Sequence, residues 1–426
     1  ILLLACSFRG MSATLTGLAW PGQPLIVKWP TQLRAILGLN DAAKAKQALK
    51  EVMVGGQNGK LYFLDLVTGE ATREALNFDW PSNGALSLQT NATPMLAVGQ
   101  HIGVLAKKTV DNAMHLYNLM NNKELASLKG KDKLMRSNYS GFNGAPLFDK
   151  NTGAMVFGGE NGVLYTMEPH DEFDHVLATL KVTPAWQRYT WLADKQKAKS
   201  TNIDGSVAMY GSYVYFGDQS GIVQCVDVNT LTPVWAVNTG DNVDATIALD
   251  MENADSVALY TANTIVGQGR TGVCTIRRLD ALTGKQAWAF TVPDLVYTTE
   301  AEVGVYASPV VGTGKASGIV YFTATNGTKG ATLYALGKQD GSVKWSLPLT
   351  SPTISSPVAV YNANGDAWIV QAEGSGKLYL IGALTGQVAT TMQLEGGVEG
   401  SPAVYRDVLV IATTGANSAI YGIKLE

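Results

Sequence analysis

Arg278-Leu-Asp-Ala-Leu-Thr-Gly284, followed four residues later by Trp288, is the stretch on which the fold turns. It reads as a β-strand ending near Asp, a Thr-Gly turn whose glycine is suited to a positive φ, and an aromatic on the next strand. The phrase recurs. Val52-Met-Val-Gly-Gly-Gln-Asn-Gly-Lys-Leu-Tyr-Phe-Leu-Asp-Leu-Val-Thr-Gly69 is one copy, and Val214 to Thr230 with Trp235 is another. Leu333-Tyr-Ala-Leu-Gly-Lys-Gln-Asp-Gly341 leads to Trp345, and Leu378-Tyr-Leu-Ile-Gly-Ala-Leu-Thr-Gly386 is a further copy. Weaker copies stand at Leu116–Met120, Gly162–Thr166 and Ile420–Leu425.

A second phrase precedes each copy: a small residue, usually Pro, and a short apolar run. It opens at Gln23-Pro24, Thr93-Pro94, Ala145-Pro146, Gly205-Ser206, Ala245-Thr246, Ser308-Pro309, Ser356-Pro357 and Ser401-Pro402. Seven intervals from Pro24 to Pro402 give a mean repeat of about 54 residues. Units of this size that cannot bury their own faces stack on one another. The expectation is an all-β fold, an eight-bladed β-propeller of four-stranded antiparallel blades, with seven blades as the second choice. The Pro-led strand should be innermost and apolar on both faces. Residues 1–426 then form one domain whose ring is closed by the terminal segments, with Ile1–Ala5 as the fourth strand of the last blade. Trp235, Trp288 and Trp345 should pack between blades.

Composition fits this reading. Gly supplies 45 of 426 residues, which suits many tight turns, and charged residues are only 16%. A formal net charge of −3 offers no basic field for nucleic acid. No run approaches the ~18 apolar residues of a membrane span. Residues 40–51 are the one helix candidate, with Asn40 or Asp41 as cap and an Ala-rich body, expected as a surface decoration. Residues 187–203, with Asp194-Lys-Gln-Lys-Ala-Lys199, read as an exposed inserted loop.

At these repeats the sequence resembles the PQQ-like (pyrroloquinoline-quinone-type) β-propellers, whose repeat runs Leu-Tyr-Ala-Leu-Asp-x-x-Thr-Gly-x-x-x-Trp. Phe8-Arg9-Gly10 is similar to the tripeptide that often opens such propellers. The resemblance covers about residues 8–426. It is greatest to secreted or surface propellers of Gram-positive bacteria, and it extends to the lipoprotein propeller of the outer-membrane assembly machinery and to quinone-dependent alcohol dehydrogenases. It implies an extracytoplasmic location, either secreted or at the cell surface. Fold alone does not carry chemistry.

The dehydrogenase pattern is broken. Cys6, Cys225 and Cys274 are far apart, so the vicinal disulfide over a quinone is missing. No cofactor is expected, and PQQ is disfavoured. Leu3-Leu4-Ala5-Cys6 has the form of a lipobox, which would make Cys6 a lipid anchor; the competing β-strand reading of Ile1–Ala5 is preferred. The absence of an initial Met leaves room for a domain before Ile1. A Cys225–Cys274 bridge has no support from spacing. His170-Asp-Glu-Phe-Asp-His175 fits no metal-ligand spacing and reads as a solvated loop. Gly267-Gln-Gly269 lacks the helix of a phosphate loop, and Asn362-Ala-Asn-Gly-Asp366 reads as a hairpin turn rather than a calcium loop.

Topology supplies the site. Loops entering the innermost strands converge on the channel mouth, and they hold Asp244, Glu302, Glu399, Trp20, Tyr139, Asn143 and Tyr306 as the ligand-binding set. Asn91, Asn138, Asp204, Asp241 and Glu300 lie in the same loops. Acidic, amide and aromatic groups suit a polar ligand, a sugar or a cation; calcium is the candidate ion, and no metal ligands are assigned. No catalytic residue is identified. The leading expectation is a non-catalytic binding or scaffold module for an envelope protein, peptide or glycan. The alternative is an oxidoreductase or lyase working at the channel mouth, with a metal's help.

Overall fold

The computed structural model describes residues 8–14, 22–82, 86–89, 93–101, 104–105, 108–109, 111–191, 200–253 and 256–426. Its described residues form eight four-stranded antiparallel blades, the sheet of the sixth carrying a split first strand. Blade 4 shows the pattern: Ala208–Tyr210, Tyr213–Gly217, Ile222–Asp227 and Thr232–Asn238, each paired with the next. First strands of neighbouring blades touch one another, Leu25–Lys28 of blade 1 meeting Ala403–Tyr405 of blade 8. An apolar cluster of Val52, Val54 and Leu64 with Val410, Ala412 and Ile420 fills that last interface.

The Asp-x-x-Thr-Gly phrase is a turn with a mechanism. Asp280 Oδ1 accepts hydrogen bonds from the amides of Leu282 and Thr283, at 3.0 and 2.8 Å, and from the Thr283 hydroxyl at 2.8 Å. Gly284 then takes φ +73°, where a side chain is disfavoured. This glycine also has a partner. A Cβ there would lie 2.7 Å from the Trp235 ring of the preceding blade, and Gly341 and Gly386 meet Trp288 and Trp345 in the same way. Each indole donates to a carbonyl of the next blade: Trp235 to Ala281 at 2.9 Å, Trp288 to Lys338 at 2.8 Å and Trp345 to Ala383 at 2.8 Å. The three tryptophans therefore rivet blades 4 to 5, 5 to 6 and 6 to 7, as their position after the turn predicts.

Blade 1 replaces the tryptophan with Arg73. Its guanidinium lies 3.7 Å over the Phe63 ring and donates to the Leu119 carbonyl of blade 2 at 2.7 Å. Glu51, fully buried, balances the charge at 2.7 Å and also accepts from Trp29 at 2.8 Å.

Several expectations need correction. In blade 2 the innermost strand is Leu86–Leu88; the run after Thr93-Pro94 is the second strand, Met95–Gly99, buried throughout. First strands are half-exposed because one side faces the channel, as at Ala208–Tyr210, so continuous burial marks the middle strands. The fourth strand of blade 8 is Phe8–Thr14, paired with Ile420–Leu425; Ile1–Ala5 and Cys6 lie outside the described residues. Within 40–51 the helix spans only Asp41–Ala45, capped by the Asn40 side chain on the Ala43 amide at 2.9 Å, and Lys50 already begins a strand. A second short helix, Thr31–Arg34, precedes it. This segment is more than decoration, since Leu33, Leu37, Leu39 and Leu49 join the core with Phe63 and Phe78.

Asp171–Asp174 is a strand rather than a loop. It pairs with Thr179–Val182 as a hairpin inserted in blade 3, and Asp171 accepts from Thr93 of blade 2 at 2.9 Å. Of the segment expected as an exposed loop, Gln187–Thr190 completes the outer strand Ala185–Thr190, while 192–199 lie outside the described residues. Asn362–Asp366 is the hairpin turn expected, with Gly365 at φ +76°. Cys225 and Cys274 are buried free thiols.

Candidate binding face at the channel mouth

A four-stranded meander puts two sets of connections on one face: the loops entering each first strand and the turns between second and third strands. On this propeller the two sets interlock from blade 2 to blade 6. His101 and Glu160 come from second-to-third turns, Asp204 from an entering loop, Gln219 from the next turn, and Asp244 and Tyr306 from later entering loops.

Contacts join them in a chain. His101 Nδ1 meets Glu160 Oε2 at 2.8 Å, and the Gln219 amide donates to Asp204 and also reaches Asp244. Burial, aided by the neighbouring charges of Asp244 and Glu160, holds the Asp204 carboxyl well above the usual carboxylate range. Asp244 is pushed up to about 6 by burial, with Asp241 adding to the shift against the Gln219 hydrogen bond. His101 shifts upward because Glu160 accepts its proton bond. Burial likewise raises the Tyr306 phenol, and the charges of Asp244 and Glu302 add to that. One oxygen of each central carboxylate, Asp204 Oδ1 and Asp244 Oδ1, is buried without a hydrogen-bond partner. Such acceptors are uncommon in folded proteins.

Asp241 is differently employed. Its carboxylate accepts from the Gly267 amide at 2.8 Å and the Gln268 amide at 2.7 Å. The Gly-Gln-Gly segment thus cradles an anion, and that anion is the chain's own.

At the channel axis the entering residues form a hydroxyl belt. The Ala145 amide donates to Ser206 Oγ at 2.9 Å and the Ser206 amide to Thr246 Oγ1 at 3.1 Å, linking blades 3, 4 and 5. Ser308 donates to Ser356 at 2.9 Å and Ser356 to Ser401 at 3.0 Å, linking blades 6, 7 and 8. The belt surrounds a cavity of about 390 Å³ that Asn143 and Glu399 also line.

The anticipated residues therefore divide. Asp244 and Glu302 both act on the Tyr306 phenol, whereas Glu399 and Asn143 stand at the axis, with Glu399 3.4 Å from the Thr414 hydroxyl. Tyr139 is exposed, its backbone amide on the Ser137 hydroxyl at 3.1 Å. Glu300 is exposed too, and Trp20 and Asn91 lie outside the described residues. Sequence reasoning omitted His101, Glu160 and Gln219. Their signal was available: Gly159-Glu-Asn-Gly162 and Asp218-Gln-Ser-Gly221 are turns at the same end of the blade as the entering loops. Among the described residues no group of three or more His, Cys, Asp or Glu is placed to hold a metal ion.

Eight four-stranded antiparallel blades, three of their interfaces joined by indoles, define a β-propeller. A family profile described as outer membrane protein assembly factor BamB matches residues 273–364. The crystal structure of BamB from Moraxella catarrhalis superposes with a TM-score of 0.60 at 12% identity, covering 96% of this chain and 99% of that one. The computationally designed protein Ika8 superposes with a TM-score of 0.55 at 16% identity, over 87% of this chain and 92% of its own. No curated protein sequence matches the chain. At these identities the likeness is one of fold. No helix among the described residues is long and apolar enough to cross a membrane.

Proposed function

We propose that the chain is a non-catalytic binding module of the cell envelope, acting outside the cytoplasm, that recognises a partner protein, peptide or glycan with its channel-mouth face. One observation carries the reading: Asp204 and Asp244, from neighbouring blades, each keep a buried carboxylate oxygen without a donor. Ammonium, guanidinium, amide or hydroxyl groups of a partner would satisfy them, and a cationic group would favour their ionised forms. The likeness of fold to an outer membrane protein assembly factor supports a protein as that partner.

The test is to incubate the immobilised protein with detergent-solubilised envelope of the native organism. A defined component should be retained by wild type and lost with D204N/D244N, and an E70Q control, in the third-to-fourth turn of blade 1 on the opposite face, should retain it. Equal retention by all three would refute this face as the binding surface. The raised proton affinity of Asp204 favours a second reading, acid–base chemistry by a lyase or oxidoreductase at the same mouth. D204N would then abolish turnover of a bound glycan while leaving its binding intact.

A further inference from the structure

The interface between blades 3 and 4 departs from the rivet pattern at three positions together. Strand pairing places Tyr215, Cys225 and Trp235 side by side in blade 4, and Val156, Thr166 and Gln187 at the same places in blade 3. Both aromatic members are thus replaced by smaller side chains. In blade 4 the turn Asp227-Val-Asn-Thr-Leu231 carries Leu231, at φ +52°, where blades 5, 6 and 7 carry the glycine that an indole presses upon. Gln187 of blade 3 stands at the strand position from which blades 4, 5 and 6 send an indole to that turn. Blade 3 does have a tryptophan, Trp186, one residue earlier. Alternation along the strand turns it to the other side, against Phe157 at a centroid distance of 6.2 Å, in the cluster shared with blade 2.

The missing rings leave a cleft of about 750 Å³ on the face opposite the channel-mouth loops. This is within the roughly 300–1,000 Å³ of ligand clefts. Val156, Thr166, Met209 and Val228 line it, and methionine adapts its shape to an incoming group. The rim holds Asp149, Glu168 and Asp171, with His170 3.5 Å from Glu168; the described lining residues include no Lys or Arg. The inserted hairpin Asp171–Val182 rises beside this rim.

We propose that this cleft receives a tryptophan side chain of a partner protein, flanked by basic residues, beside the place the chain's own indoles take at three other interfaces. The carbonyl of Val228 is the counterpart of Ala281, which accepts the Trp235 N–H, and is the acceptor offered to the incoming indole. Leu231 bars stacking on the turn itself, so the ring lies over Val156 and Thr166, in the volume of the absent tyrosine. The acidic rim selects the basic flanks. This site is independent of the channel-mouth reading.

The probe is the blocked tripeptide Lys-Trp-Lys, titrated against the full chain with ¹³C-methyl methionine labelling. The Met209 resonance should move, and Lys-Trp-Lys should bind at least tenfold more tightly than Lys-Ala-Lys or Glu-Trp-Glu. Q187W/L231G, which rebuilds the internal rivet, should lose at least tenfold in affinity. E168K leaves the cleft open and tests the rim without repacking; it should weaken Lys-Trp-Lys and strengthen Glu-Trp-Glu. Equal binding of the Trp and Ala peptides, or unchanged affinity in Q187W/L231G, would overturn the proposal. Concentration-dependent self-association removed by Q187W/L231G would overturn it too, by making a second copy of this chain the occupant.

Discussion

Trp288 is the most buried of the three rivets, and its indole both donates a hydrogen bond to Lys338 and packs on Gly341. Trp288→Ala should lower stability by about 3–5 kcal/mol in urea unfolding, the usual cost of emptying a core aromatic site. A loss below ~1 kcal/mol would contradict its role. At the channel mouth the residue-scale prediction concerns pH. Asp244 is raised from 3.8 to about 6 in the folded chain, and Asp204 is raised further. The folded state therefore holds protons that the unfolded chain has released. That contribution is fully present below about pH 4 and is lost as pH rises through 6 and beyond. The melting temperature should fall from pH 5 to pH 8.5, and the fall should be smaller in D204N/D244N, whose amides do not ionise. An equal fall in both proteins would count against these carboxyls as its source.

Elements differ in how they solve one packing problem. Blades 4, 5 and 6 send a tryptophan to the next blade, whereas blade 1 sends Arg73 with Glu51 behind it. Removing one member of a buried pair strands the other charge, so Arg73→Ala should cost about 3–5 kcal/mol in urea unfolding. The double variant E51Q/R73M should recover part of that loss, and failure to recover any would show that shape outweighs charge there. The repeats made the blades legible because Asp, Thr and Gly are required by the turn itself. Thr93-Pro94 misled because Met95–Gly99 is wholly apolar, and a fully buried middle strand looks like an innermost one when only composition is read. The paired carboxyls of Asp204 and Asp244 were only half legible. Both residues lay in the right loops, but Gln219, which bridges them, sits in a turn whose side of the blade emerges only from the meander.

At the scale of the molecule, Phe8–Thr14 completes blade 8 against Ile420–Leu425, and blade 8 packs on blade 1. Deleting residues 1–14 should bare the backbone edge of Ile420–Leu425, an invitation to pair with another chain. Sedimentation should show self-association and calorimetry a lower melting temperature. A monomer that melts unchanged would mean that the strand is dispensable.

That pairing also sets an order of events. Phe8 leaves the ribosome about 417 residues ahead of its partner Leu425. At roughly 5–20 residues per second, synthesis keeps the two apart for about 20–80 s. Seven blades have time to form while Phe8–Thr14 stays without its place. The newborn chain therefore carries an unmated β-edge throughout that interval, which is when a chaperone has most to protect.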